Sequence, residues 1–179
     1  MKRFSVRDLT LMAFFAALLA VCSWLSIPAA VPFTLQTFAV FLTLLLLPAA
    51  QGIGAIAVYL LLGAVGLPVF SGFRGGIAAL LGPTGGYLTG FLVTGLCCLL
   101  AEKLHQNTLP RRAAFLVVGL LLCYALGTVW FVRTYTAAPM TFGKALSMCV
   151  FPFLLPDAVK LALAVVLSLR LRPVLLKLR

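Results

Sequence analysis

The sequence is a succession of long apolar runs broken only by proline, glycine and short clusters of charge. Segments of this kind cross a bilayer as helices, since the helix satisfies every backbone polar group internally. Of the 179 residues, 64% are hydrophobic and 9% charged, with a mean hydropathy of +1.20. A soluble fold of this size cannot bury so much apolar surface, so the chain reads as an all-α integral membrane protein. Residues 1–179 are expected to form a single membrane-embedded domain, because no polar stretch is long enough for a second one. The formal net charge of +11 would point to nucleic acid in a soluble protein. Here the basic residues sit at the ends of apolar runs and bear on orientation instead.

The runs map onto six expected spans. Helix 1 extends from about Leu9 to Ile27 and stops at Pro28. Helix 2 starts between Pro32 and Gln36 and ends near Leu47, helix 3 covers about Gly52 to Val65, and a glycine-rich connection follows from Gly66 to Gly82. Helix 4 covers about Gly85 to Leu100, helix 5 about Ala113 to Val132 and helix 6 about Pro156 to Leu171. Helices 2 and 3 are short for a span, which suits the interior of a bundle better than lipid. The N-terminal Met1-Lys-Arg-Phe-Ser-Val-Arg7 has the look of a signal peptide, but the apolar run after it is long and no small-residue cleavage motif follows, so it reads as a retained first helix.

Six spans with both termini cytoplasmic place Lys2, Arg3, Arg7, Lys103, Arg111, Arg112, Arg170, Arg172, Lys177 and Arg179 inside, ten of the fourteen basic residues. Merging helices 2 and 3 would put the 103–112 loop and the arginine-rich C-terminus outside, against that rule. The outer side then carries Pro28 to Thr34, Gly66 to Gly82 and Arg133 to about Pro156. Within the last of these, Thr141 is placed to cap a short helix from Phe142 to Cys149. Pro156 fits the first turn of helix 6, which would put Asp157 near a helix N-terminus.

Asp157 and Lys160 lie three residues apart in the apolar run that starts at Phe151, on one helical face. A charged group at the bilayer centre costs about 3 kcal/mol on insertion scales, so such groups face a partner, a cavity or a ligand. Two readings follow: the pair neutralises itself and locks packing, or it contacts a ligand. On the same outer side, Gly66-Leu-Pro-Val-Phe-Ser-Gly-Phe-Arg-Gly-Gly76 runs on to Leu81-Gly-Pro-Thr-Gly-Gly-Tyr87 and places Arg74 among residues that allow close backbone approach. Gly90 reads as a helix-packing residue. On helix 1, Ala13/Ala17 and Ala16/Ala20 are small-x-x-x-small pairs, suited to contact with a helix of the same chain or to docking of another subunit.

Several chemistries are disfavoured. Cys22, Cys97, Cys98, Cys123 and Cys149 are scattered through apolar stretches with no C-x-x-C pair, which argues against a disulfide framework and a zinc site. Asp8, Glu102 and Asp157 are the only acids and His105 the only histidine. No carboxylate pair, nucleophile–base set or phosphate-binding loop is present, so an enzyme, a resident metal and a self-powered pump are not expected.

Val31-Pro-Phe-Thr-Leu-Gln-Thr-Phe38, Tyr59-Leu-Leu-Leu-Gly-Ala-Val-Gly-Leu-Pro-Val-Phe70, Gly82-Pro-Thr-Gly-Gly-Tyr87 and Pro152 to Lys160 occur in an order that resembles the BioY family. Its members are biotin-specific substrate-binding (S) subunits of energy-coupling factor transporters. The resemblance runs over essentially the whole chain. It implies six transmembrane helices, a biotin pocket near the outer face, no cofactor beyond the transported ligand, and residence in the plasma membrane of a prokaryote. It also implies partnership with a transmembrane coupling subunit and two ATPases, with the alanine-rich first helix (Ala13, Ala16, Ala17, Ala20) as the docking face.

Biotin has a carboxylate at one end, a ureido ring with two N–H donors and a carbonyl at the other, and an apolar middle. A pocket for it needs a cation, an acceptor and apolar walls. Lys160 and Arg74 are the candidate cations and Asp157 the acceptor. Gln36, Tyr59, Ser71 and Tyr87 are candidate neutral partners, and Phe33 and Phe70 candidate walls. Asp157 is assigned to the ureido N–H groups and a cation to the carboxylate; the alternative, Lys160 on the ureido carbonyl with Arg74 alone on the carboxylate, stays open. An S subunit for another vitamin, or a small secondary transporter, are the rival functions, the latter expected to show inverted repeats that are not evident here.

Overall fold

A computed structural model of the protein describes residues 5–105, 108–136 and 139–177; Lys2, Arg3 and Arg179, used above for orientation, lie outside them. The described chain runs α1 (Val6–Trp24), β1 (Ser26–Ile27), β2 (Phe33–Thr34), α2 (Gln36–Leu46), α3 (Ala49–Ala64), α4 (Ile77–Leu81), α5 (Gly85–Lys103), α6 (Leu109–Thr134), α7 (Phe142–Cys149) and α8 (Phe151–Lys177). Among the described residues, four helical stretches are long and apolar enough to cross a membrane: Val6–Trp24, Gly85–Lys103, Leu109–Thr134 and Phe142–Val174. α2 and α3 are apolar but shorter.

α2 survives at 11 residues, about 17 Å long, because it lies inside the bundle. Apart from Thr37 and Phe38 its residues are buried, and its widest contact is with α8. Phe41, Leu44 and Leu45 from α2 join Leu19, Ile56, Leu116 and Phe131 in a core from which solvent is excluded. The most extensive helix pair is α5 with α6, and glycine makes it possible. A Cβ at Gly90 would stand 2.6 Å from the Cys123 Sγ and 3.1 Å from its Cα, so the helices close on a bare backbone there, as the sequence predicts.

One end of the bundle is built by hairpin and strap. α1 stops at Trp24, earlier than expected, because Ser26 and Ile27 pair antiparallel with Thr34 and Phe33. The 66–82 connection is pinned from both sides by the indoles: Trp24 Nε1 donates to the Pro68 carbonyl and Trp130 Nε1 to that of Gly82. Trp24 also stacks on Phe73. Positive φ values at Gly66, Gly72 and Gly76 let the strap fold back on itself.

The opposite end is held by polar groups. Ser5 and Asp8 form a reciprocal capping box at the start of α1, and Asp8 also accepts from Gln51. Arg112, one of the residues assigned to the cytoplasmic side, is only 3% exposed. Its guanidinium donates to the Leu44 and Leu47 carbonyls at the end of α2 and pairs with Glu102 at 3.3 Å. Glu102 in turn accepts from the Ala49 N–H that opens α3. A cation on the terminal carbonyls of one helix and an anion on the first N–H of the next both follow the helix dipole.

α7 occupies the residues expected for it, with the Thr141 hydroxyl accepting from the Lys144 N–H. The start of helix 6 is a correction. α8 begins at Phe151, with Pro156 inside it, so Asp157 lies more than a turn beyond the helix start and not at its dipole. Pro156 has no N–H to donate to the Pro152 carbonyl four residues back, so the helix goes without one bond of its ladder there.

Candidate binding site

Two adjoining cavities lie at the hairpin end. The outer one, about 390 Å³, is lined by the hairpin from Ser26 to Thr34, by the strap residues Phe70, Ser71, Gly72 and Arg74, and by Gly82 to Thr84 and Tyr87. Its volume falls within the roughly 300–1,000 Å³ typical of small-molecule sites. The inner chamber, about 60 Å³, is lined by Thr37, Phe91, Cys123, Tyr124, Cys149, Phe153, Asp157 and Lys160 among others. Val31, Pro32, Thr34 and Tyr87 line both, so the hairpin tip and one phenol form the wall between them.

The hydrogen-bonded cluster around Asp157 draws on three helices, α2, α6 and α8. Asp157, 1% exposed, accepts at Oδ1 from Lys160 Nζ (2.7 Å) and Thr37 Oγ1 (2.8 Å), and at Oδ2 from the Tyr124 hydroxyl. Lys160 Nζ also donates to Thr37 Oγ1 at 3.0 Å. The Thr37 hydroxyl therefore donates to the carboxylate and accepts from the ammonium. Each buried charge is thus paired and hydrogen-bonded, the condition under which such a pair survives out of water. Tyr87 OH and Thr128 Oγ1 are 3.1 Å apart beside this cluster.

Arg74 is exposed and lines the outer cavity. Its backbone bridges to that of Phe70, with Phe70 N donating to Arg74 O at 2.9 Å. Among the described residues its guanidinium has no hydrogen-bond or ion-pair partner. The site thus carries a neutralised pair deep inside and an open cation at the mouth.

Of the residues singled out from the sequence, Asp157 and Lys160 line the inner chamber, Arg74, Phe70 and Ser71 the outer cavity, and Tyr87 both. Three do not reach either lining. Gln36 Nε2 donates to the Tyr59 hydroxyl at 2.8 Å, and this buried couple satisfies itself behind the wall. Tyr59 then supports Phe70 edge-on, with ring centroids 5.5 Å apart. Phe33 stacks on Phe153, centroids 4.0 Å apart, and it is Phe153 that faces the chamber. Thr37, Tyr124 and Thr128 went unrecognised in the sequence. Tyr124 carried a signal, a phenol in the middle of an apolar span; Thr37 and Thr128 carried none, since a threonine can bond to its own helix backbone.

The alanine stripe divides. Ala13 and Ala17 are exposed, whereas Ala16 and Ala20 are buried. Ala16 and Ala20 are taken up by packing inside the bundle, which leaves Ala13 and Ala17 on the outer face of α1. Among the described residues no three His, Cys, Asp or Glu side chains converge as a metal site would require.

The BioY family model matches residues 1–177. The biotin transporter BioY of Thermotoga maritima is 44% identical over 93% of this chain and 96% of its own length. The biotin transporter BioY2 of Lactococcus lactis subsp. cremoris is 41% identical over 96% of this chain and 93% of its own. Among solved structures, the S-component for biotin from an ECF-type ABC transporter superposes with a TM-score of 0.82 at 29% identity, covering 94% of this chain and 92% of that one.

Proposed function

The chain belongs to the BioY family, and from that premise we propose that it is the high-affinity biotin-binding S subunit of an ATP-driven energy-coupling factor transporter. It captures the vitamin on the outer side and hands it on through a transmembrane coupling subunit and two ATPases. It is a multi-pass protein of a prokaryotic plasma membrane, a single substrate-binding domain of six spans with both termini cytoplasmic. α2 and α3 are the two short spans, tolerated because α2 is enclosed by its neighbours.

The observation that carries the ligand reading is the division of charge between the two cavities. A dipolar, hydrogen-bonded pair suits a neutral polar ring, and an open guanidinium suits a carboxylate. Biotin then lies with its ureido ring toward Asp157 and Lys160, its apolar chain past Tyr87 and Pro32, and its carboxylate at Arg74. The inner chamber is small, so the ring is admitted as the hairpin tip at Val31 and Pro32 yields. Gln36 and Tyr59 act on the ligand only through Phe70, and Phe33 only through Phe153.

The test is retention of biotin by the purified, detergent-solubilised chain after extensive washing, followed by calorimetric titration of the stripped protein. Stoichiometric binding, weakened about tenfold or more in Arg74→Ala by loss of a charge-assisted contact, is the expected result. A folded chain that binds no biotin, or binds another vitamin in preference, overturns it.

A further inference from the structure

The hydrogen-bond capacity of the inner cluster can be counted. An ionised carboxylate offers about four lone-pair positions and an ammonium three N–H donors. Oδ1 of Asp157 is filled by Lys160 and Thr37, and Oδ2 is half filled by Tyr124. Lys160 spends two donors, on Asp157 and Thr37. Among the described residues this leaves one acceptor position and one donor on two side chains that both line the chamber. That is the complement of a cis-amide edge, in which an N–H stands beside a carbonyl. A guanidinium edge would set an N–H against the remaining Lys160 donor, and a carboxylate would set its charge against Asp157.

We propose that Tyr124 and Thr37 are positioning residues that hold the Asp157–Lys160 pair as an edge with one free acceptor and one free donor, and so select a neutral cyclic urea over a cationic analogue. The inference rests on the biotin reading above and goes beyond it by naming what sets selectivity. Tyr124 blocks the second lone pair of Oδ2; without it, that oxygen takes two N–H donors and tolerates a guanidinium. Thr37 engages one carboxylate lone pair and one ammonium proton at once; without it, neither partner is held in register.

The experiment measures Kd by calorimetry for the wild type, Tyr124→Phe, Thr37→Val and Thr37→Ser, each with biotin and with 2-iminobiotin. In the latter the ureido oxygen is replaced by an imino group, and the ring is a guanidinium at neutral pH. The wild type is expected to prefer biotin strongly. Tyr124→Phe is expected to weaken biotin about tenfold and to narrow the ratio of the two dissociation constants by a similar factor, as loss of one charge-assisted hydrogen bond predicts. Thr37→Val is expected to weaken biotin comparably and Thr37→Ser to restore it. Thermal unfolding checks each variant. Equal weakening of both ligands in Tyr124→Phe, with the ratio unchanged, assigns Tyr124 a structural role and overturns the proposal. Should Tyr124→Phe fail to fold, the threonine variants decide, and loss in Thr37→Val without rescue by Thr37→Ser overturns it. A wild type that binds no biotin removes the functional reading as well, whereas intact biotin binding with unmoved selectivity removes only this inference.

Discussion

Asp157 shares hydrogen bonds with side chains from three helices: Thr37 of α2, Tyr124 of α6 and Lys160 of its own α8. Its stability therefore depends on all three packing correctly, and the pair with Lys160 is the place to separate structure from binding. Removing one member of a buried pair leaves an uncompensated charge and costs about 3–5 kcal/mol, whereas replacing both is far milder. Asp157→Asn and Lys160→Met are each expected to lower the melting temperature, and the double variant to recover much of the loss. If both groups also contact biotin, the double variant still binds no better than the weaker single one. Titration with thermal unfolding as control checks this, and a well-folded double variant of near-native affinity would sink the binding role. Asp157 and Lys160 were legible in the sequence because charge in an apolar run is conspicuous. Thr37 was not, because only the approach of α2 to α8 turns its hydroxyl from a backbone-bonding group into the link between two charges.

At the scale of the helix, α1 presents two faces that the alanine pattern alone does not distinguish. Ala13 and Ala17 point out of the bundle, while Ala16 is 1% exposed. A tryptophan at Ala17 finds open space here and obstructs only a partner. Ala17→Trp is expected to abolish biotin uptake in cells that supply the coupling module, while the isolated chain binds biotin as before. A tryptophan at Ala16 overpacks the core, at a cost of about 1–3 kcal/mol or more, so Ala16→Trp is expected to lower stability and binding together. Equal behaviour of the two variants would show that the outer face of α1 is not a docking surface. The small-x-x-x-small spacing announces close approach, but both pairs carry it equally. Which one meets another helix of this chain is set by the rotation of α1 against α2 and α3.

For the molecule as a whole, the hairpin and strap at one end and the Arg112–Glu102 clamp at the other define its polarity. Reporter fusions after His105 and after Arg179 are expected to report the cytoplasm, and one after Met140 the exterior; an external signal at either of the first two overturns the span count. Position 105 is preferred to Arg112 as a junction, because Arg112 is buried on the carbonyls of α2 and a fusion there would break the clamp. The sequence by itself determined the helical membrane class, the order of the helices, the end of helix 2 near Leu47, the short α7 and the location of the intramembrane charges. These follow from local composition and period, because the bilayer forces each apolar run to satisfy its own backbone. Only the tertiary structure decided that Arg112 is a cap and not a surface cation, that Gln36 and Tyr59 answer each other behind the wall, and that Tyr124 and Thr37 complete the charged cluster. Each of those outcomes depends on contacts between residues distant in the chain, and a side chain's partner across a helix interface is fixed by packing geometry, which the spacing of residues along one helix does not contain.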